Sequence, residues 1–407
     1  MVMTAFTDEL TYQATRAPVD RAVTLIPDAY RSPEFHAIER ERVFATSWVA
    51  VGTTDQVARP GQVILAEVGG RSVIVTRNRR GELRAFHNVC RHRATRLLSG
   101  VTDVGRTAKI RCPYHSWTYD LDGKCLGTPL FEGSDIPEDQ HGVFDMSGVR
   151  GFDKADYGLL PVAVEEWGFL VFANTDPDAP PLAAHLGDLP ARLAGYRLEE
   201  WRSVRRFTYE VAANHKLIAE NFMEYYHLPW VHPELAKVSK LGDHYRWQGP
   251  GMYTGMCTDP ISGNTDSGGW DGLPPLPGLS PADARAGRFL WLFPSTGLVV
   301  LPNHAFVLFT RPVGVDRTVE EAVLLTHPGA LPGDEPSPGL EALADFWDLV
   351  NRQDIEIVER VQEGIANPAY TGGRMCYRFE EPLHRFQNMI IDRMVGVETR
   401  ELYRPLA

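Results

Sequence analysis

Cys90-Arg91-His92-Arg93 and Cys112-Pro113-Tyr114-His115-Ser116-Trp117 are the two stretches that decide how this 407-residue chain is read. Each offers one thiolate and one imidazole at close spacing, and nineteen residues separate His92 from Cys112. Zinc fingers usually pair Cys with Cys and His with His. Here each arm is mixed. Mixed arms suit a two-iron, two-sulfide centre in which two thiolates hold one iron and two imidazoles the other, each arm giving one ligand to each metal. A zinc site and four unconnected core residues are the alternatives.

The residues around these arms resemble the ligand loops of Rieske [2Fe–2S] domains. Two departures are visible. Ala94 stands where such loops often carry Gly, and the gap between the arms is slightly long, with the extra residues placed in the Gly100–Gly105 turn region. Asp122-Gly123, within Tyr119-Asp120-Leu121-Asp122-Gly123-Lys124, predicts a type I′ hairpin turn. The resemblance implies cluster binding by Cys90, His92, Cys112 and His115, with Tyr114 donating to a cluster sulfur.

The length predicts two domains. No apolar run reaches membrane-spanning length, and residues 1–20 lack an apolar signal core, so a cytoplasmic protein without membrane contact is expected. Five Cys make no disulfide framework, and Cys125, Cys257 and Cys376 read as free thiols. A net charge of −12 argues against nucleic acid. Residues 71–111 run against that balance, with 11 basic and 2 acidic side chains, a net of +9. They form either a solvated or subunit face, or a landing surface for an acidic electron donor.

Period-two patterning predicts a hairpin over Val63–Val68 and Ser72–Arg77 and a strand at Leu83–Phe86. Residues 33–45 and His185–Tyr196 read as helices, 248–287 as a long irregular loop, and Leu340–Glu363 as a long helix. Strands are expected near Pro161–Asn174, Phe289–Phe293, Gly297–Leu301, Ala305–Arg311 and Glu320–Thr326. No G-x-G-x-x-G fingerprint is present, so NAD(P)H would act only indirectly, through a separate reductase.

The second constellation is Glu220-Asn221-Phe222-Met223-Glu224-Tyr225-Tyr226-His227-Leu228-Pro229-Trp230-Val231-His232. One helix would put Glu220, Glu224 and His227 on a single face. A bend or break at Pro229 would then bring His227 and His232 together. Farther on, Asp354 falls in the apolar row Leu343, Trp347, Val350, Val358, Val361, where an unpartnered carboxylate is costly. Two His and one carboxylate form the facial triad of non-haem Fe(II) oxygenases. Read singly, the two His are satisfied core residues.

Together the two constellations resemble the catalytic alpha subunit of Rieske non-haem iron oxygenases over nearly the whole chain. The resemblance implies an α+β protein. An N-terminal helical segment (1–44) packs on the catalytic domain. An all-β Rieske domain (45–155) precedes a helix-grip-like antiparallel sheet with flanking helices (156–407). It implies a homotrimer in which the cluster of one subunit faces the iron of the next. The cofactors would be a [2Fe–2S] cluster and Fe(II), the latter held by His227, His232 and Asp354. Asn221 would lie beside the iron, and Glu224 would bridge the two centres. A flavin/iron–sulfur reductase or a ferredoxin would feed electrons to O2 and a small organic substrate, giving hydroxylation or oxidative demethylation. Glu at the bridging position is similar to the branch acting on quaternary ammonium compounds. Tyr225, Tyr226, Trp230, Trp247, Tyr253, Trp270 and Trp291 are then candidate cation–π partners. An arene or aromatic-acid oxygenase is the alternative. A non-catalytic Rieske carrier would lack the second iron, and a zinc-binding regulatory module would be colourless.

Overall fold

Short strands bounded by turn residues dominate the first half of the chain, and longer strands capped by two long helices dominate the second. The computed structural model describes residues 5–105, 108–133, 147–261, 273–331 and 338–398. It falls into two units. One holds Val51–Glu166 and Leu170–Ala179, and the other holds Met1–Ala50, Trp167–Phe169 and Pro180–Ala407. Among the described residues no helix is long and apolar enough to cross a membrane.

The smaller unit is built from three three-stranded sheets. β1 (Val49–Thr53) leads into it and pairs with the later hairpin strands β8 (Ala163–Trp167) and β9 (Leu170–Asn174), in the order β1-β9-β8. β2 (Val63–Val68), β3 (Arg71–Arg77) and β4 (Leu83–His87) form the second sheet. Gly69 and Gly70, both left-handed at φ +56° and +73°, close its first hairpin as a two-residue primed turn demands. β5 (Lys109–Arg111), β6 (Thr118–Asp120) and β7 (Cys125–Gly127) form the third. The β6–β7 turn is not type I′. Gly123 donates to the Asp120 carbonyl at 3.1 Å, and of Asp122 and Gly123 only Gly123 is left-handed, at φ +82°. The Asp120 carboxylate accepts from the N–H groups of Asp122 and Lys124, holding Asp122 in the ordinary region. Ile74, Phe86, Ile110, Trp117 and Tyr119 pack the core, and Cys90 and Cys112 are buried in the same cluster.

In the larger unit α1 (Asp28–Arg31) and α2 (Pro33–Glu39) come first, and α2 runs on as a π-helical turn over Arg40–Phe44. This segment is tied to the rest of its unit. Arg16 reaches Asp392 at 2.6 Å, Tyr30 donates to Glu220 at 2.6 Å, and the buried Lys216 ammonium meets Glu39 at 2.9 Å. The helix expected over His185–Tyr196 is two short ones, α3 (Leu182–Leu186) and α4 (Leu189–Arg192). Gly187 ends α3 in a positive-φ conformation where an added Cβ would strike the Pro250 carbonyl at 2.0 Å.

A seven-stranded antiparallel sheet follows, ordered β10-β16-β15-β14-β13-β12-β11. Its strands are β10 (Arg202–Val211), β11 (His244–Arg246), β12 (Tyr253–Thr258), β13 (Gly287–Leu292), β14 (Thr296–Val300), β15 (His304–Pro312) and β16 (Thr318–Thr326). β12 is fully buried and lies inside the stretch expected to be irregular. Its Gly255 approaches the Phe289 carbonyl so closely that strand patterning is broken by a residue without a side chain. The remaining helices are α5 (His215–Met223), α6 (Leu228–Val231), α7 (Leu235–Val238), α8 (Pro338–Ile365) and α9 (Glu381–Val395). The fold is α+β, with a β domain ahead of an antiparallel sheet flanked by helices.

Candidate active site

The two mixed Cys/His loops share one backbone design. In the first, Ala94 N–H bonds the Cys90 carbonyl (3.1 Å) and Cys90 N–H bonds the Thr95 carbonyl (2.8 Å). In the second, Ser116 N–H bonds the Cys112 carbonyl (3.1 Å) and Cys112 N–H bonds the Trp117 carbonyl (2.7 Å). Ala94 and Ser116 hold the same left-handed position, at φ +55° and +61°. Ala94 therefore sits in the strained conformation that explains why Gly is common there.

The loops bring their side chains together. The His92 and His115 rings are 4.8 Å apart, and His92 stacks on Trp117 at 5.0 Å and 7°. His92 Nδ1 is buried with no hydrogen-bond partner, the condition of a ring nitrogen kept for a metal. Burial raises the Cys112 thiol, but the N–H groups of Tyr114 and His115 outweigh it, so its pKa is lowered and the thiolate favoured. Two buried sulfurs, an orphaned imidazole nitrogen and a second imidazole fit a [2Fe–2S] centre. The tyrosine at the sulfur is not Tyr114, which is 57 % exposed and lies against His115. It is the buried Tyr119, whose hydroxyl is 3.4 Å from Cys90 Sγ and accepts from Arg91 N–H. Tyr119 lies on β6 across from β5, a cross-strand placement that loop spacing does not reveal.

In the larger unit α5 stops at Met223, and Glu224 is extended (φ −113°, ψ 159°), so Glu220 and Glu224 do not share a helical face. Glu220 turns into the interior, accepting from Tyr30 at 2.6 Å and Gln387 at 2.8 Å. Glu224 caps the next turn, accepting from the N–H of Tyr226 and of His227 and from His227 Nδ1. Pro229 does not break a helix. It stands in the first turn of α6, where its missing N–H is harmless. His227 and His232 flank that single turn, with rings 5.1 Å apart.

Asp354 comes from α8, and the ligand atoms of His227, His232 and Asp354 all lie within 4.8 Å of one another. Asp354 Oδ1 is 2.9 Å from His232 Nε2 and 3.6 Å from His227 Nε2. The other nitrogen of each ring is spoken for. His227 Nδ1–H donates to Glu224, and His232 Nδ1–H donates to the Gln353 side-chain oxygen at 2.8 Å. Both Nε2 atoms thus turn lone pairs toward Asp354, the tautomer a metal requires. Two imidazoles and a carboxylate converging in this way fit a non-haem iron. Arg352 and Arg360, the basic residues nearest Asp354 along α8, pair with Asp348 and Glu356 rather than with it. The apolar row is imperfect, since Val361 is exposed and the Asp354 side chain is 25 % exposed.

A cavity opens beside this triad, and Asn221 lines it with Glu224. Its floor follows from sheet register. Met256 pairs with Phe289 and Phe289 with Val299, so one side-chain row crosses β12, β13 and β14. Phe222 leans over Gly297, where a Cβ would lie 2.9 Å from its ring. Trp347 and Val350 extend the wall along the α8 face that carries Asp354. None of the six expected aromatics that the structure describes lines this cavity. Trp230 and Tyr226 are exposed, and Tyr225 stacks on His244. Trp247 is covered by Arg192, Tyr253 bonds Asp188, and Trp291 donates to the Pro294 carbonyl. Trp270 lies outside the described residues.

Two family models match. The Rieske [2Fe–2S] domain covers residues 47–138, and the ring hydroxylating alpha subunit catalytic domain covers 198–396. The glycine betaine monooxygenase oxygenase subunit of Chromohalobacter salexigens is 30% identical over 398 residues, spanning 90% of this chain and 85% of the relative. The carnitine monooxygenase oxygenase subunit of Escherichia coli K12 is 29% identical, spanning 82% of each. Among solved structures, a quaternary ammonium Rieske monooxygenase superposes with a TM-score of 0.79 at 25% identity, over 95% of this chain and all of the other. Naphthalene 1,2-dioxygenase from Rhodococcus shares the fold, with a TM-score of 0.72 at 20% identity, over 96% of this chain and 99% of the other.

Proposed function

The chain belongs to the catalytic alpha subunits of Rieske non-haem iron oxygenases, which makes it the oxygenase component of a system with a separate reductase, and we propose a quaternary ammonium compound as its substrate. A catalytic oxygenase domain sets aside the non-catalytic carrier and the zinc module. The observation that carries the substrate class is the cavity lining. Phe222, Phe289 and Trp347 supply aromatic rings, Glu224 supplies a carboxylate that is not assigned to the iron, and no Lys or Arg lines it among the described residues. Rings and carboxylates attract an alkylated ammonium, which needs no hydrogen-bond acceptor. Relatives named for glycine betaine and carnitine support the same class.

Cys90 and Cys112 would hold one cluster iron, His92 and His115 the other, and His227, His232 and Asp354 the mononuclear iron. When bound, the cluster supplies single electrons and the mononuclear iron supplies O2 activation. The chain's own residues orient and exclude. Glu224 and Gln353 fix the imidazole tautomers, the row Met256–Phe289–Val299 keeps water from the cavity floor, and Asn221 offers an amide beside the triad. A carboxylate has about four acceptor sites, and Glu224 accepts three N–H groups here. One site remains for an imidazole N–H from a neighbouring subunit. That supports a homotrimer with Glu224 as the bridge, as does a matched oxygenase described with inter-subunit electron transfer. A flavin/iron–sulfur reductase or a ferredoxin would be the donor. Unpaired cysteines suit a reducing cytoplasm.

Turnover with a reductase partner across choline, glycine betaine, carnitine, benzoate and naphthalene tests the reading. Product from a quaternary ammonium and none from the arenes is expected, and the reverse pattern overturns it. The protein purified in air should be red-brown, with two irons and two acid-labile sulfides beyond the mononuclear iron. A colourless zinc protein would exclude the cluster assignment.

A further inference from the structure

Trp347 is the largest ring on the cavity wall, and its orientation is set from outside the cavity. Its indole N–H donates to His304 Nε2 at 2.9 Å. His304 Nδ1–H donates to the Asn303 side-chain oxygen at 2.7 Å. Asn303 Nδ2 donates to the Leu273 carbonyl at 2.9 Å. A backbone carbonyl can only accept, so the whole chain of donors has one direction. That direction leaves His304 Nε2 unprotonated, the form an indole N–H needs.

His304 is completely buried. Burial pushes its pKa down to about 3, so the ring stays neutral at every working pH. On β15 it has the same parity as Phe306, and Phe306 stacks flat on Trp347 at 4.6 Å and 9°. Phe306 in turn pairs with Val299, the end of the cavity-floor row. One face of the indole is thus closed by Phe306, its edge is held by His304, and Trp347 is seven residues before Asp354 on α8. Seven residues are about two turns, which returns the side chain to the same helix face. A cation meeting a ring so held has only the second face to use.

We propose that Trp347 is the specificity-determining residue that selects a cationic over a neutral substrate head, and that His304 is a positioning residue that locks the indole for that task. The proposal rests on the quaternary ammonium reading and names the part of the cavity responsible for it. His304 touches no substrate. Its effect is confined to discrimination between charged and neutral heads, whereas loss of a merely structural residue weakens both alike.

The test is equilibrium binding to the holoenzyme with its cluster oxidised and no reductant present. Choline is compared with its neutral isostere 3,3-dimethylbutan-1-ol, which has the same shape without the charge. The parent should prefer choline by about tenfold or more, within the range of a desolvated cation–π contact. Trp347→Leu should cut the preference about tenfold. His304→Leu should reduce it several-fold with little change for the isostere, and His304→Gln, which keeps an acceptor for the indole, should restore it. The indole N–H marker in ultraviolet resonance Raman should move in His304→Leu and return in His304→Gln. A parent without preference overturns the quaternary ammonium reading and this inference with it. A parent with preference that Trp347→Leu retains overturns this inference alone. Should His304→Leu fail to fold, Trp347→Leu and His304→Gln still decide, because a Gln variant that keeps its indole marker yet loses the preference would show that the hydrogen bond to the indole does not set it, and would overturn the positioning role.

Discussion

The Gln353 side-chain oxygen accepts from His232 Nδ1 at 2.8 Å, and the next residue, Asp354, meets His232 Nε2 at 2.9 Å. Neighbouring residues of one helix therefore hold opposite edges of one imidazole. α8 supplies the triad's carboxylate and also fixes the tautomer of a histidine that arrives from α6, more than a hundred residues earlier.

Removing each partner should separate the two roles. Asp354→Ala should eliminate mononuclear iron and turnover while leaving the cluster spectrum intact. Gln353→Leu should keep all three ligands but weaken iron binding about 10- to 100-fold, the usual cost of losing such an orienting partner. Fe(II) titration of the demetallated enzyme reads both. Full affinity in Gln353→Leu would show that packing alone orients His232.

Ala94 offers a test of stability in the cluster loop. A left-handed non-Gly residue costs about 1–2 kcal/mol, and Gly returns about 0.4–1 kcal/mol through its freer unfolded chain. Ala94 is exposed, so no packing is lost. Ala94→Gly should stabilise the smaller unit by about 0.5–1 kcal/mol, read as a higher denaturant midpoint for cluster loss.

The basic stretch 71–111 is less uniform in space than in sequence. Arg77 pairs with Glu166, and Arg80 and Arg84 share Glu82 and Asp122, so these three are explained locally. Arg96 and Lys109 are exposed and better probes of a donor surface. Reversing both to Glu should slow reduction by the protein donor and flatten its salt dependence, without slowing reduction by dithionite. Unchanged kinetics would make the stretch a solvated or subunit face.

Glu220 supplies a pH dependence. Burial raises its pKa; the Tyr30 and Gln387 hydrogen bonds and the Lys216 charge oppose that only in part, leaving it at about 7. A carboxyl raised above its unfolded value of 4.5 is held protonated by the fold. Its contribution is complete below pH 4.5 and fades as pH climbs to 7, by roughly 3 kcal/mol at most. Glu220→Gln should lose that slope. Its melting temperature relative to the parent should rise between pH 5 and 7.5, and parallel profiles would show that Glu220 is ionised in the fold.

What was legible in the sequence was whatever lies within one element or one loop. The paired Cys/His arms, strands β13 to β16 and the ligand face of α8 are local patterns, and the structure brings His227, His232 and Asp354 together. Trp347 lies on that same face and was readable from the same spacing. Phe289, Met256 and Val299 were not, because their common row exists only once β12, β13 and β14 are in register. The place of Tyr119 beside Cys90 is hidden in the sequence for the same cross-strand reason. Glu220 does not share the face with His227 that helical spacing predicts, because the chain leaves the helix after Met223 so that Glu224 can cap the turn bearing His227.

Glu224 accepts from His227 Nδ1 with one oxygen and from the N–H groups of Tyr226 and His227 with the other. A carboxylate can take a further imidazole N–H; an amide cannot, because one of its two ends only donates. In Glu224→Gln the amide oxygen can keep His227 oriented, or its backbone bonds, but its NH2 meets a second imidazole with the wrong polarity. Both irons and the trimer should survive. Transfer between cluster and mononuclear site should slow by orders of magnitude, read as cluster oxidation in a single turnover with O2 and a quaternary ammonium substrate. Measuring the same variant with dithionite separates the steps, since cluster reduction should proceed at the parent rate while reoxidation stalls. Reoxidation as fast as in the parent would leave Glu224 as a cap for the His227 turn and nothing more.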